Sequence, residues 1–273
     1  KTTPYAFLTD FVGWLPMPEG GDHEARLTAD YNAEMIEQIA RFPRVRDRAI
    51  FVGGPEDVVP RDFGDGLPDI RRWVQEHFDF SGYVLAPDAI VPVDRKALRA
   101  ELGYRPDETV CLVTVGGSGV GAGLLRRVID AYPQAREGVP GLRMIVVCGP
   151  RIDPESLPSH DGLELVAYVD RLSRHLAACD VAVTQGGLTT CMELAAAGTP
   201  FVYFPLRRHF EQNLHVRHRL ERYEAGRAMD LDTATPETIA SAIAAALADG
   251  RDRGAEVERD GAARAARMLA ELL

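Results

Sequence analysis

An alternation of short apolar runs with helix-like stretches constrains the fold of this chain more than any other feature. From Thr109 onward, runs rich in β-branched residues recur, and a turn and a stretch with helical spacing follow most of them. Because the runs are apolar throughout rather than alternating, they predict a parallel α/β sheet of about six strands, covered by helices on both faces. The runs lie at residues 110–115, 143–148, 163–167, 181–184, 201–204 and, more weakly, 227–229.

The first 86 residues are organised differently. They contain two apolar runs, at residues 5–9 and 49–52, a helix-like stretch at 28–41 and several loops rich in glycine and proline. These are too few elements for an independent domain with a good core, so they predict an incomplete second α/β domain.

The expected domain boundaries follow from these patterns. Residues 1–86 are interpreted as the remnant of an N-terminal domain, residues 87–108 as a linker with a first helix, and residues 109–273 as a C-terminal domain. Because the chain starts without methionine and enters an apolar run at once, we expect it to be a piece of a longer protein.

Composition excludes several classes of function. The formal net charge of -10 argues against a nucleic-acid partner. The sequence contains no run of about 18 apolar residues, so it predicts no membrane-spanning helix. The four cysteines are widely spaced, without a C-x-x-C pair, which favours reduced thiols in a cytoplasmic compartment over a zinc site or disulfides.

The first candidate binding motif is a glycine-rich loop between the run at 110–115 and the following helix. Glycines let a backbone approach a phosphate, and a helix N-terminus offers free amides. The motif consists of Gly116, Gly117, Ser118 and Gly119, and no Walker-type Lys-Ser/Thr pair follows it. A dehydrogenase fingerprint is an alternative, but the next strand lacks the acidic residue that would hold a ribose. Alternatively, the glycines form only a tight turn and bind no ligand.

The second candidate motif follows the run at 181–184 and opens the next helix. It consists of Gln185, Gly186, Gly187, Leu188, Thr189, Thr190 and Glu193. The glycines and the first helical amides predict a second anion site, to which Thr190 adds a hydroxyl group. Glu193, one turn further along, is placed to accept hydrogen bonds from two ribose hydroxyls, unless it is only a first-turn surface glutamate.

The third candidate motif is the pair Glu211–Gln212, after the run at 201–204. An adjacent acceptor and amide suit neighbouring hydroxyls of a sugar, although the pair is equally consistent with a helix cap. His209 and His215 are weaker candidates, and exposed helix positions are the simpler interpretation. Asp230 and Asp232 form a D-x-D sequence, but it lies in a predicted turn and does not predict a metal site.

In their order along the chain, these motifs resemble the donor-binding domain of the MurG-like glycosyltransferases, family 28 of the inverting GT-B enzymes. Gly116–Gly119 is similar to that family's phosphate loop, and residues 185–193 resemble its His-x-Gly-x-x-Ser-x-x-Glu signature. Glu211–Gln212 is similar to the acidic-Gln pair that holds the donor sugar. The resemblance also places Val169 at the edge of the nucleobase.

Two residues depart from the family pattern, and one more extends it. Gln185 stands where many relatives have histidine, and Leu85 stands near an interdomain arginine of MurG itself. Asp10 lies in a Thr-Asp-Phe segment similar to one in the acceptor domain of the diacylglycerol glycosyltransferases. Asp10 is therefore a weak candidate for the catalytic residue, and the general base is otherwise expected upstream.

The resemblance implies an inverting, metal-independent hexosyltransferase that takes a nucleotide sugar, UDP-linked, and passes the sugar to a small-molecule or lipid acceptor. No further cofactor is expected. A UDP-sugar 2-epimerase and a non-catalytic donor-binding subunit remain alternatives. We also expect the isolated chain to be inactive, with an oligomer or a partner chain supplying the missing half, and a location in the cytoplasm or at the inner membrane face.

Overall fold

The computed structural model describes residues 3–87, 94–117, 119–250 and 256–273. The chain forms two compact units. The first unit comprises Lys1–Leu85, Arg207–Arg222 and Glu258–Leu273, and the second comprises Ala86–Leu206 and Tyr223–Val257. Within the described ranges, no helix combines the length and the apolar character that crossing a membrane requires.

The elements are named here in chain order. The strands are β1 (Ala6–Thr9), β2 (Arg48–Val52), β3 (Asp79–Gly82), β4 (Thr109–Thr114), β5 (Leu142–Val147), β6 (Leu163–Val166), β7 (Val181–Gln185), β8 (Phe201–Phe204) and β9 (Arg227–Ala228). The helices are α1 (Gly21–Arg41), α2 (Ile70–His77), α3 (Arg95–Glu101), α4 (Ala122–Gly138), α5 (Leu172–Ala178), α6 (Leu188–Ala197), α7 (Arg217–Arg222), α8 (Pro236–Asp249) and α9 (Gly261–Ala270). A π-helical turn, Glu211–Val216, leads into α7.

The first unit is built on a three-stranded parallel sheet with the order β1-β2-β3. Its core contains buried side chains from β2, α2 and the loops between them, among them Phe51, Phe63 and Trp73. Leu214, from the π-helical turn, packs against this core. Helix α9 packs on β3, where Gly261 comes so close to the carbonyl of Tyr83 that a side chain could not fit.

The second unit is built on a six-stranded parallel sheet with the order β6-β5-β4-β7-β8-β9. The chain runs from β4 outward to β5 and β6, then returns to the other side of β4 to form β7, β8 and β9. The strand order therefore reverses between β4 and β7, which pair with each other. Ligands of open parallel sheets bind beyond the carboxyl ends of the strands at this kind of reversal.

The central strands are apolar because both faces of the sheet are covered. Val110, Cys111, Leu112 and Val113 of β4 are all fully buried. Helices α4 and α8 pack against each other and contribute to the same core. The predicted α/β class and the six-strand parallel sheet are confirmed.

Several local predictions need correction. Helix α1 begins at Gly21, seven residues before the predicted start, and neither α2 nor β3 was predicted. The helix that Glu211–Gln212 was expected to cap begins as a π-helical turn. Residues 1–85 do contribute a buried core, against which Leu214 packs, and chain segments 207–222 and 258–273 belong to the same compact unit. The predicted boundaries had counted both of those segments in the C-terminal domain.

Candidate functional site

The glycine-rich loop follows the carboxyl end of β4, as the sequence predicted, and leads into α4. Gly121 precedes the helix and lies against the end of β4, where an added Cβ atom would be 2.4 Å from the Cβ atom of Val115. The tight turn is therefore possible only with glycine. The first α-helical hydrogen bond runs from Leu125 N–H to the Gly121 carbonyl, so the amides of residues 122–124 precede it. Ser118, a predicted donor-binding residue, lies outside the described residues.

The second glycine loop follows β7, the neighbour of β4 in the sheet, and leads into α6. Cys191 N–H donates the first α-helical hydrogen bond to the carbonyl of Gly187, at 3.1 Å. The amides of Leu188, Thr189 and Thr190 precede that bond, as an anion site at a helix N-terminus requires. Gly186 contributes differently from the prediction, because its N–H donates to the carbonyl of Phe204 at 3.3 Å.

Gln185 connects the two glycine loops. Its side chain is buried, and Oε1 accepts a hydrogen bond of 3.4 Å from the Gly116 N–H. Gln185 is the last residue of β7, and Gly116 lies just beyond the end of β4. The residue that departs from the family pattern thus ties the two loops together at the point where the strand order reverses.

Glu193 lies in α6 with its side chain largely buried, at 8% exposure. Its Oε1 accepts a hydrogen bond of 3.3 Å from the backbone N–H of Ala86. Burial raises the pKa of the Glu193 carboxyl, and the bond from Ala86 partly opposes that rise. Additional hydroxyl donors would stabilise such a buried carboxylate. The sequence predicted that ribose hydroxyls supply them.

Val169 follows β6, which lies on the same side of β4 as β5. It is half-buried, whereas the neighbouring Tyr168 has 73% of its surface exposed. Strand β6 lies two positions from β4 in the sheet, or about 10 Å at the usual strand spacing. Apart from Ser118, the second unit thus contains Val169 and the residues predicted from Gly116 to Glu193, in or next to loops that follow the carboxyl ends of strands of one sheet.

Arg151 is a residue of this edge that the sequence analysis missed. It follows β5, and a Cβ atom added to Gly119 would lie 3.2 Å from the Cβ atom of Arg151. Its side chain is exposed. The sequence did hold a signal for it, since Gly149-Pro150-Arg151 comes directly after a predicted strand and therefore at the ligand-binding edge.

The remaining predicted residues lie in the first unit. Asp10 follows β1, and Glu211 and Gln212 open the π-helical turn. Gln212 is buried and Glu211 is half-buried. Burial raises the pKa of Glu211, the negative charge of Asp10 adds to that rise, and Arg219 opposes it.

His215, read from sequence as an exposed helix residue, is instead almost fully buried in the first unit, at 3% exposure. Leu85 is also buried. Asp230, of the D-x-D sequence, accepts a hydrogen bond of 2.9 Å from the N–H of Asp232, within a turn of the chain. Across the described residues, no group of three or more His, Cys, Asp or Glu side chains is arranged to hold a metal ion.

Comparison with known proteins identifies the family that shares these features. Residues 110–272 match the glycosyltransferase family 28 C-terminal domain. An uncharacterized glycosyltransferase of Methanopyrus kandleri is 33% identical over 187 residues, which are 68% of this chain and 52% of that protein. The UDP-N-acetylglucosamine–N-acetylmuramyl-(pentapeptide) pyrophosphoryl-undecaprenol N-acetylglucosamine transferase of Salinibacter ruber is 32% identical over 209 residues, 71% of this chain and 53% of that protein. The chain thus spans about half the length of these relatives.

Solved structures confirm the fold at lower sequence identity. The glycosyltransferase of kitacinnamycin superposes with a TM-score of 0.58 at 17% identity, covering 98% of this chain and 70% of that one. MurG of Acinetobacter baumannii superposes with a TM-score of 0.54 at 13% identity, covering 96% of this chain and 84% of that one. The GT-B type of fold that the motifs implied is therefore confirmed.

Proposed function

Because the chain belongs to glycosyltransferase family 28, we propose that it binds a nucleoside diphosphate sugar and serves transfer of the sugar to an acceptor hydroxyl. The proposed donor is UDP-linked. Transfer proceeds with inversion and requires no protein-bound metal.

One observation carries the proposal: two glycine loops and two helix N-termini meet at the reversal of strand order in the second unit. They follow the adjacent, paired strands β4 and β7, and the Gly116–Gln185 hydrogen bond joins them. A diphosphate needs several donors close together, and the unpaired amides of α4 and α6 supply them. Two neighbouring loops offer backbone donors to both phosphates of a diphosphate.

The choice of UDP rests on two further supports. The Salinibacter ruber relative and several mycobacterial relatives carry names that specify UDP-N-acetylglucosamine as donor. In this chain, Glu193 offers a buried carboxylate for ribose hydroxyls, and Val169 lies further along the same sheet edge for the base.

In this proposal the second unit acts on the leaving group. The bond between the anomeric carbon and the diphosphate oxygen breaks, and negative charge accumulates on the departing diphosphate. The helix N-termini, Thr190 and Arg151 stabilise that charge. A general base removes the proton of the acceptor hydroxyl as it attacks from the opposite face of the sugar, which gives inversion. Asp10 is the candidate base within this chain, and Glu211 and Gln212 are proposed to hold the donor sugar.

The test is calorimetric titration of the protein with UDP, GDP and ADP, in the presence and absence of a chelator. We expect UDP to bind most tightly and the chelator to leave its affinity unchanged. Equal affinity for the three nucleotides would remove the assignment of uracil, and failure of all three to bind would overturn the proposal. Incubation with a UDP-sugar and no acceptor tests the epimerase alternative, because only an epimerase converts the sugar to its 2-epimer.

A further inference from the structure

The loop formed by residues 10–14, after β1, is held by buried side chains. Asn32 is fully buried, and its Oδ1 and Nδ2 bond the N–H and the carbonyl of Trp14, each at 2.8 Å. Arg219, with 1% exposure, donates from Nη2 to the carbonyl of Asp10. Ordering an irregular loop with buried polar groups costs free energy of desolvation and entropy. Such rigidity is typical of loops that present side chains to a ligand.

Two buried polar atoms beside this loop have no hydrogen-bond partner among the described residues. They are Nε2 of His215 and Nη1 of Arg219. Burial lowers the pKa of His215 to about 3, so its ring is neutral, and the ring also bonds the backbone of Gly13. Neutral imidazole has one acceptor nitrogen, and guanidinium has only donors. Both side chains are buried, so they serve to hold the loop rather than to contact a ligand.

The loop also presents an aromatic surface. Trp14 has 50% of its surface exposed, and its ring centroid lies 4.9 Å from that of Phe210 and 6.5 Å from that of Tyr31. Tyr31 itself is 57% exposed. Half-exposed aromatic rings offer an apolar face to a ligand while they remain fixed by their neighbours. The C–H face of a sugar ring is a ligand surface that fits such a face.

Carboxylates adjoin the aromatic surface. Asp10 belongs to the loop, Glu211 follows Phe210, and the charge of Asp10 acts on Glu211. Carboxylates accept hydrogen bonds from hydroxyl groups, but they repel anions and are costly to desolvate against an alkyl chain. An aromatic face beside hydrogen-bond acceptors fits a neutral, hydroxyl-rich ring.

We propose that the 10–14 loop binds a neutral sugar ring of the acceptor, which stacks on Trp14 and donates hydroxyl hydrogen bonds to Asp10. This inference rests on the proposed function, since it assigns the acceptor class to the first unit. Asn32, His215 and Arg219 act as positioning residues that hold the loop in the binding conformation.

The two tryptophans of the chain allow a direct test. Trp73 is buried in the core of the first unit, so Trp73→Phe leaves Trp14 as the single reporter, and Trp14→Phe is the matched control. Both proteins are titrated with the methyl β-glycosides of glucose, galactose and N-acetylglucosamine while tryptophan emission is recorded. If Trp73→Phe lowers stability, the difference in emission between the unmodified protein and Trp14→Phe gives the same information.

We expect at least one glycoside to produce a saturable change in Trp14 emission, with a Kd on the order of millimolar for so small a ligand, and no change in the control. Asp10→Asn should weaken that binding at least about 5-fold, because a charge-assisted hydrogen bond is lost. No response to any of the three glycosides, or an unchanged Kd in Asp10→Asn, would overturn the proposal. So would a saturable response to 1-octanol alone, which would indicate a hydrocarbon ligand.

Calorimetry with UDP on the same proteins separates this inference from the proposed function. Sugar binding without UDP binding would overturn the donor assignment and leave the loop assignment standing. UDP binding without a glycoside response would overturn the loop assignment and leave the donor assignment standing.

Discussion

At the scale of single residues, Glu193 gives the most direct prediction. Its buried carboxylate accepts a hydrogen bond from the Ala86 N–H, and the proposed ribose hydroxyls would donate further ones. Glu193→Ala should therefore weaken UDP binding by about 1.5–3 kcal/mol, the usual contribution of hydrogen bonds to a charged group. Calorimetry measures the loss, and circular dichroism checks that the fold is intact. Unchanged affinity in a folded variant would remove Glu193 from the site.

The raised pKa of Glu193 adds a pH dependence. Hydroxyl donors prefer the ionised carboxylate, so binding should pull the pKa of Glu193 back down. The affinity should then be constant well above that pKa and fall as the pH drops through it. A UDP-sugar is the suitable ligand, because its doubly esterified diphosphate does not titrate in this range. In Glu193→Gln the affinity should be lower but should no longer depend on pH there, and a persisting dependence would assign the titration to another group.

Arg151 tests the contribution of a residue that lies at the glycine loop but was not predicted. An exposed guanidinium beside a bound diphosphate should contribute roughly 1 kcal/mol, less than a buried one because water and salt screen it. We expect Arg151→Ala to weaken UDP binding about 5-fold and to reduce its sensitivity to salt. Arg105→Ala is the control, since Arg105 precedes β4 and lies at the opposite edge of the sheet. Equal effects of the two substitutions would indicate only the loss of general positive charge.

At the scale of elements, the π-helical turn separates recognition of the sugar from recognition of the nucleotide. Changing Glu211 and Gln212 together to alanine should lower the affinity for a UDP-sugar and leave that for UDP nearly unchanged. The physical reason is that both side chains are proposed to bond sugar hydroxyls, which UDP lacks. Parallel calorimetric titrations with the two ligands measure the difference. A parallel loss of both affinities would mean that the pair serves only to hold the start of the helix.

The elements also show what the sequence could and could not predict. Strands β4, β5, β7 and β8 were predictable because apolar residues fill a sheet buried on both faces. Strand β3 was missed because Asp-Phe-Ser-Gly contains no β-branched residue. The start of α1 was missed because Gly20 and Gly21 were read as part of a loop, although Asp22 and Glu24 suit the first turn of a helix.

The candidate site, too, could be predicted only in part from the sequence. Both glycine loops were predictable because strand-to-helix turns at one sheet edge must come together. The partners within the site were not, since the Ala86 amide that bonds Glu193 is 107 residues away in the chain. For the same reason no sequence pattern showed that His215 is buried or that Arg219 holds the backbone of Asp10.

At the scale of the whole molecule, the C-terminal segment belongs structurally to the first unit. Arg48 donates to the carbonyl of Met268 at 2.7 Å, and Tyr83 N–H donates to the carbonyl of Glu258 at 3.1 Å. Deleting residues 258–273 should therefore destabilise the first unit by several kcal/mol, because it exposes β3 and removes these bonds.

The second unit should be little affected by that deletion, since its sheet and its glycine loops lie within Ala86–Leu206 and Tyr223–Val257. Thermal unfolding should show one transition moving to lower temperature while UDP affinity stays within about 2-fold of its original value. Loss of UDP binding together with stability would show that the segment supports both units, and an unshifted transition would show that it supports neither.

The interleaving of the two units also determines how this protein could be recombined with its relatives. Three separate stretches of chain build the first unit, so a crossover at residue 86 alone would combine the strands of one parent with the α7 and α9 helices of another. Arg219 and the carbonyl of Asp10 would then come from different ancestors, as would Gly261 and the carbonyl of Tyr83 that leaves no room for a larger residue. Stable chimeras that exchange the first unit should need all three stretches from one parent, and natural descendants should inherit them as a linked set.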